Sequence, residues 1–198
     1  MIYVHIKVPR FGENLVQILD SKIVAVQGME PGVRYVDYVD ESVLPDIQAL
    51  VGKDLSEPYS IFTYRYFLHQ WPRLCICAYD NDRMIGTIVC KAEVERGIMR
   101  GYIAMLTVDE AYRKKGIAIQ LVTNGLDRME EAGCEEVVLE VEAVNVKALN
   151  LYNKLGFMRD EKLCRYYLNG SDAYRMRLLI DKNIKKDEIN VNNLKIES

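Results

Sequence analysis

The chain has almost no histidine, a single tryptophan and no long apolar run. Its two histidines, His5 and His69, belong to no Cys/His cluster with metal-ligand spacing, so nothing in the sequence suggests a zinc site. The same scarcity gives little support to a Cys–His nucleophilic pair. No apolar stretch approaches the ~18 residues of a membrane-spanning helix. The longest, Leu74 to Tyr79, has only the length of a strand. A surplus of one charge is missing too. There are 26 Lys and Arg against 29 Asp and Glu, a net charge of −3, which argues against a dedicated nucleic-acid binder. Cysteine is present but odd in number, five, so no disulfide scheme uses every thiol. Cys75 and Cys77 lie two apart in LCICAY, on one face of an expected strand, and read as small apolar filler. The opening MIYVHIKVPR mixes charge and proline into its apolar positions and forms no signal-peptide core. The expectation is a soluble cytoplasmic protein that binds neither a membrane nor nucleic acid directly.

What is present suits one domain. The 198 residues are 49% hydrophobic, ample for a core and too short for two ordinary domains. Residues 1–32 read as an N-terminal extension that ends in the turn signal Gly28-Met29-Glu30-Pro31-Gly32. Residues 33–180 read as the globular domain. Residues 181–198, with eight charged residues and four Asn, carry too little to bury and read as a disordered charged tail. Hydrophobic periodicity predicts strands at 33–39, 74–79, 84–94, 99–108, 137–142, 157–168 and 172–180. It predicts helices at 41–52, after Pro58, at 116–132 and at 145–155. The stripe Ala118, Leu121, Val122, Gly125, Met129 and Ala132 is the expected buried face of the third helix, and Tyr66, Phe67 and Trp71 are expected to pack in the core. Antiparallel strands followed by a strand–helix–strand unit predict an α/β domain, with a mixed central sheet of about seven strands flanked by helices.

Three stretches carry chemistry. In LTVDEAYRKKGIA, residues 106–118, a strand runs through a basic loop into a helix. The helix start offers free N–H groups and a positive dipole end for a phosphate. Arg113, Lys114 and Lys115 add charge, while Gly116 and Ala118, on either side of Ile117, let the backbone approach the anion closely. On the strand 137–142, alternation puts Val138, Glu140 and Glu142 on one face. Two carboxylates there mean either an edge strand or a strand lining a cleft, because burying an unpaired charge is costly. In NVKALNLYNKLGF, residues 145–157, Asn145, Ala148 and Tyr152 share one helical face, and Asn145 suits the N-cap.

In this order the elements resemble the GCN5-related N-acetyltransferase (GNAT) superfamily. DLSEPYSIFTYRYFLHQWP at 54–72 resembles, more narrowly, the catalytic subunits of N-terminal acetyltransferase C (NatC). That similarity continues through RGYIAMLTV, LEVE, NLYNKLGF and RYYLNGSDAY, and spans roughly residues 35–180. The resemblance implies acetyl transfer from acetyl-CoA, with no metal, to the α-amine of proteins that begin Met-hydrophobic. It implies nascent chains as substrates, and as partners a large scaffold subunit, a small Sm-like subunit and the ribosome. The 113–118 loop would hold the pyrophosphate, Asn145 the pantetheine or diphosphate arm, and the backbone of Leu106, Thr107 and Val108 the thioester carbonyl. Glu140 would be the base, acting through water, with Glu57 reaching the substrate backbone or amine and its share of the deprotonation left open. Glu142 is less favoured, and Tyr152 would protonate the leaving thiolate. Leu55, Glu57, Pro58, Tyr59 and Tyr102 would line an apolar pocket for the first residues, and Tyr166 and Tyr167 would clamp the peptide backbone. The alternatives are a GNAT enzyme acting on other N-termini, lysine or a small-molecule amine, and a non-catalytic acyl-CoA-binding module.

Overall fold

The computed structural model describes residues 32–53 and 59–180. The N-terminal extension and the charged tail therefore lie outside the described residues, as do Leu55, Glu57 and Pro58. Seven strands form one sheet: β1 (Val33–Asp37), β2 (Cys75–Asp80), β3 (Arg83–Glu95), β4 (Ile98–Val108), β5 (Glu136–Glu142), β6 (Met158–Leu163) and β7 (Ala173–Leu179). Their order is β1-β2-β3-β4-β5-β7-β6. All neighbours are antiparallel except β4 and β5. The four described α-helices are α1 (Leu44–Gly52), α2 (Ile61–Gln70), α3 (Ile117–Glu131) and α4 (Val146–Lys154). No described helix is long and apolar enough to cross a membrane.

Each face of the sheet buries its own core. On one face Leu121, Val122 and Met129 of α3 and Leu149 and Tyr152 of α4 pack on Ile88, Ile103, Val137, Leu139 and Met176. On the other, Ile47 and Leu50 of α1 and Tyr64, Phe67 and Leu68 of α2 pack on Cys75, Cys77, Val89, Tyr102 and Val138. Strands buried on both sides account for the unbroken apolar runs of β2 and β3. The β2–β3 turn is tight, with Asn81 at φ +52° in the left-handed region that Asn tolerates. Helix α3 seats closely because Gly101 leaves room for it. A Cβ there would lie 2.5 Å from Met129 Sδ.

Two features of β4 open the site. Val89 faces Met105 and Cys90 faces Ile103, so Ala104 is an extra, bulged residue. On its other edge β4 pairs with β5 only from Arg100–Glu136 to Tyr102–Val138. Beyond that point the two parallel strands part, and β5 continues alone with β7 as far as Glu142.

Several expectations need correction. Strand β5 lies inside the sheet and is buried on both faces, which removes the edge-strand reading of its carboxylates. It also starts one residue earlier, so Glu136 joins Glu140 and Glu142 on that face. The final hairpin is shorter than its apolar pattern suggested. Strand β6 stops at Leu163, and residues 164–172 form a loop with Arg165 at φ +51° and its N–H on Asp172 Oδ1. Ala132, expected in the α3 stripe, is exposed and caps the helix, while Ile117 is buried at its start. Of the three aromatics expected in the core, Phe67 is buried, Trp71 is half-buried and Tyr66 is exposed. Helix α1 begins at Leu44 because a 3-10 turn capped by Asp40 precedes it, with Pro45 in its first turn.

Candidate active site

The gap between β4 and β5 has a polar edge. Asp109 N–H donates to Ile85 O at 2.8 Å, so past the bulge at Ala104 the odd-numbered residues of β4 exchange hydrogen bonds with β3. By the same alternation, Leu106 and Val108 turn their backbone groups away from β3, into the gap. Arg113 Nε donates to Val108 O at 3.0 Å, in keeping with that orientation. The N–H groups of Leu106 and Val108 are thus strand donors aimed where a ligand would lie beside them. Thr107 has the opposite parity, and its side chain is buried.

At the end of β4 the loop to α3 is braced by its own side chains. Asp109 Oδ1 accepts from Ala111 N at 3.1 Å, and Asp109 Oδ2 from Arg83 at 2.9 Å. The Ala111 N–H, and then Arg83, hold the Asp109 carboxyl below the usual carboxylate range. Tyr112 donates to Asp80 at 2.7 Å and lies under Lys115, whose ammonium is 5.4 Å from the ring centroid. Lys114 at φ +63° and Gly116 at φ +79° turn the chain into α3. Gly116 is the N-cap and supplies no side-chain cap. The first N–H groups of a 15-residue helix are therefore left for a ligand, with the basic loop around them. Beside this loop a cavity of about 560 Å³ is lined by Leu50, Lys53, Arg83 and residues 107–111 and 113.

The other wall of the gap carries Asn145 and Tyr152. Asn145 is the N-cap of α4, and its Oδ1 accepts from Ala148 N at 3.1 Å. That bond occupies the side-chain oxygen and leaves the NH2 group for a ligand. Tyr152 is 1% exposed and packs against Phe157 at 5.1 Å. Its core cluster includes Val108 of β4 and Leu139 and Val141 of β5, the strands that part. The hydroxyl is buried and has no hydrogen-bond partner among the described residues. Burial first, and the Cys90 thiol second, push its pKa far above the ordinary phenol range, so it stays a neutral O–H donor.

Glu140 belongs to the opposite face. It is 2% exposed, and Tyr102 donates to its Oε2 at 3.4 Å. Arg175 donates to its Oε1 from Nε at 3.2 Å and from Nη2 at 3.1 Å. A cavity of about 320 Å³ adjoins them, lined by Phe67, Lys91, Glu93, Glu95, Arg100, Tyr102, Val138, Glu140, Tyr166 and Arg175. Charged groups of both signs enter this cavity from β3, β4, β5 and β7, beside Tyr102 of the expected substrate pocket. Lys91 pairs with Glu93 and sits 5.6 to 5.9 Å from the ring centroids of Tyr102, Tyr66 and Trp71. Arg100 links Glu95 to the buried Glu136.

Tyr102, Glu140 and Tyr166 therefore meet at one cavity. Tyr167 stacks edge-on against Tyr166 at 5.3 Å, within the 164–172 loop and not on a strand. Tyr59 packs on Tyr64 of α2. Glu142 stands apart at the surface, with Asn169 of the same loop 3.5 Å from it. Sequence reasoning missed Arg175, Lys91 and Arg100. Alternation in AYRMRLL puts Arg175 and Arg177 on one face of β7, but only the pairing of β7 with β5 aims them at the carboxylates. Cys75 and Cys77 are buried, as expected of apolar filler, while Cys164 is exposed. Among the described residues, which include all five, no disulfide forms. Burial pushes the Cys75 thiol up to about 12 and the Cys77 thiol to about 11.

A strand edge with N–H groups turned out, an uncapped helix start in a basic loop and a partnerless hydroxyl between them fit a long, acceptor-rich thioester with a diphosphate. Comparison with known proteins agrees. Residues 44–157 match the model of the acetyltransferase (GNAT) family. The chain is 53% identical over 155 residues to human N-alpha-acetyltransferase 30, covering 76% of this chain and 43% of that protein. It is 53% identical over 153 residues to N-alpha-acetyltransferase MAK3 of Arabidopsis thaliana, covering 77% and 80%. The chain thus spans less than half the length of its human relative and most of its plant one. Among solved structures, the NatC complex bound to Gag peptide and CoA contains a chain that is 44% identical, with a TM-score of 0.73, over 75% of this chain and 99% of that one. From the parted strands to the relatives that match along the fold, the chain belongs to the GNAT acetyltransferases, in the group of the N-alpha-acetyltransferase 30 proteins.

Proposed function

We propose that the protein is an N-terminal acetyltransferase that moves acetyl from acetyl-CoA to the α-amine of proteins beginning Met-hydrophobic, as a NatC-type catalytic subunit. The observation that carries this reading is the placement of Glu140 and Tyr152 on opposite faces of one sheet, both beside the gap between β4 and β5. A base and an acid so arranged act on an incoming amine from one side and a departing thiolate on the other.

An α-amino group, with a reference pKa of about 7.7–8.0, is mostly protonated at neutral pH and must lose a proton before it attacks. Glu140 takes that proton, directly or through water. The amine nitrogen bonds to the thioester carbonyl carbon, and the N–H groups of Leu106 and Val108 stabilise charge on the carbonyl oxygen. The C–S bond then breaks and the thiolate takes the Tyr152 proton, while the nitrogen gives up its second proton through water, which returns one to Tyr152. The N-terminus of α3 and the loop Arg113–Gly116 bind the diphosphate, with Asn145 on the opposite wall.

Tyr59, Tyr102, Tyr166 and Tyr167 line the peptide path together with Leu55, Glu57 and Pro58. The protein works in the cytoplasm at the ribosome, with a large scaffold subunit and an Sm-like one. Support for partners comes from the structural neighbour, itself a complex with a peptide and CoA. The test is acetylation of Met-Leu, Met-Glu, Ser-Glu and internal-lysine peptides under one set of conditions. Met-Leu should lead. A preference for Ser-Glu or Met-Glu would overturn the NatC-type specificity, and a preference for the lysine peptide would overturn N-terminal transfer.

A further inference from the structure

Glu140 is held by a residue that the proposed chemistry has not used. Arg175 on β7 is its direct cross-strand partner on β5, so the two side chains leave the same face of the sheet. Two donors of the guanidinium, Nε and Nη2, converge on Glu140 Oε1 at 3.2 and 3.1 Å. The third nitrogen, Nη1, reaches Glu161 Oε2 on β6 at 3.2 Å. The Tyr102 hydroxyl serves the other oxygen, Oε2. Each carboxylate oxygen therefore has its own donor, and the plane of the carboxylate is fixed between β4 and β7. The contact to the exposed Glu161 contributes little energy, but it keeps the guanidinium from turning. Only a planar fork makes all three contacts; a lysine ammonium supplies one point of charge.

We infer that Arg175 is a positioning residue for acetyl transfer: by gripping Glu140 through Oε1, it presents Oε2, beside Tyr102, to the substrate amine. The inference rests on Glu140 acting as the base. It adds that the orientation of this base is set from β7, by a residue outside the acetyl-CoA walls. Losing the grip lets the carboxylate rotate, and misplacement of a reacting group by about an ångström costs on the order of a hundredfold in rate.

The test uses the full chain with acetyl-CoA and a Met-Leu peptide. Arg175→Met and Arg175→Lys are each made in the wild-type and the Glu140→Gln backgrounds. Arg175→Met should lower kcat about ten- to a hundredfold, with KM for both substrates within about twofold. Arg175→Lys should recover part of the loss. In the Glu140→Gln background, Arg175→Met should change kcat by less than about twofold, because no carboxylate remains to orient. Equal losses in both backgrounds would overturn the inference, as would wild-type kcat in Arg175→Met. If Arg175→Met does not fold, as judged by its melt and its acetyl-CoA binding, Arg175→Lys carries the same cycle: a partial kcat loss that vanishes beside Glu140→Gln supports the inference, and an equal loss overturns it. If Glu140→Gln alone keeps wild-type activity, the reading of Glu140 as base fails, and this inference fails with it. If Glu140→Gln is impaired while Arg175→Met is not, the inference alone fails.

Discussion

Replacing Tyr152 by Phe should make the protein more stable and less active at once. The hydroxyl is buried, has no partner among the described residues, and is surrounded by the apolar core of α4, β4 and β5. An unsatisfied buried hydroxyl costs roughly 1–3 kcal/mol, and Phe removes it without changing the ring that packs on Phe157. A domain of this size shifts its Tm by about 2–4 °C per kcal/mol, so the gain should be about 2–12 °C. Activity should move the other way, because general acid catalysis is typically worth about 10²–10⁴-fold. The assay pairs a thermal melt of the ligand-free protein with kcat measured under saturating acetyl-CoA and peptide. Acetyl-CoA affinity, read by titration, should stay within about threefold, since Phe keeps the wall of the site. A lower Tm would show that the hydroxyl is satisfied in the folded protein, and a kcat within twofold of wild type would remove Tyr152 from the chemistry.

Glu140→Gln keeps the shape of the side chain but cannot take a proton, so its defect in kcat/KM should be largest at low pH and shrink above the amine pKa of about 7.7–8.0. A mutant-to-wild-type ratio that stays flat with pH would make Glu140 a structural residue. A substrate starting with Ser in place of Met loses two to three methylene equivalents at ~0.8 kcal/mol each, so its kcat/KM should fall roughly 15- to 60-fold; equal rates would refute a pocket that buries the thioether. Asp109, held below its ordinary pKa by the Ala111 N–H and by Arg83, contributes stability above its unfolded pKa of about 3.9 and loses it as pH falls through the lower folded value. The difference in Tm between wild type and Asp109→Asn should therefore be full near neutral pH and close in acid, and a constant difference would refute the assignment.

Most elements were legible in the sequence because each carries a local signal. The 117–131 helix has its apolar stripe, β2 and β3 their turn at Asn81, and α4 its Asn145 cap. The strand end, basic loop and helix start at 106–118 were legible for the same reason, since they are contiguous. The peptide side was not. Arg175, Lys91 and Arg100 reach the cavity from three strands, and only the sheet order β3-β4-β5-β7 brings them together. Nothing within IMRGYIAMLTV or AYRMRLL marks Arg100 and Arg175 as partners of carboxylates 36 and 35 residues away. Residues 164–168 were misread as strand because Tyr166, Tyr167 and Leu168 mimic strand chemistry, while the turn at Gly170 and the bond to Asp172 decide the course of the loop.

The parting of β4 from β5 also bears on how the molecule endures. Among the described residues, the ladder between β1 to β4 and the β5–β7–β6 half has three residue pairs, Arg100–Glu136 to Tyr102–Val138, with the Glu135 N–H on Met99 O beside it, and the packed cores on both faces span the join. The rest of that seam consists of strand edges facing each other without a ladder. A thioester arm lying there would act as a temporary eighth strand, pairing with the N–H groups that Leu106 and Val108 turn away from β3. Its binding free energy is then also folding free energy, about 2.7 kcal/mol when the ligand stands at a hundred times its Kd. On the proposed reading, acetyl-CoA adds strand contacts where the sheet has fewest, so saturating acetyl-CoA should raise the Tm and slow amide exchange along β4 and β5.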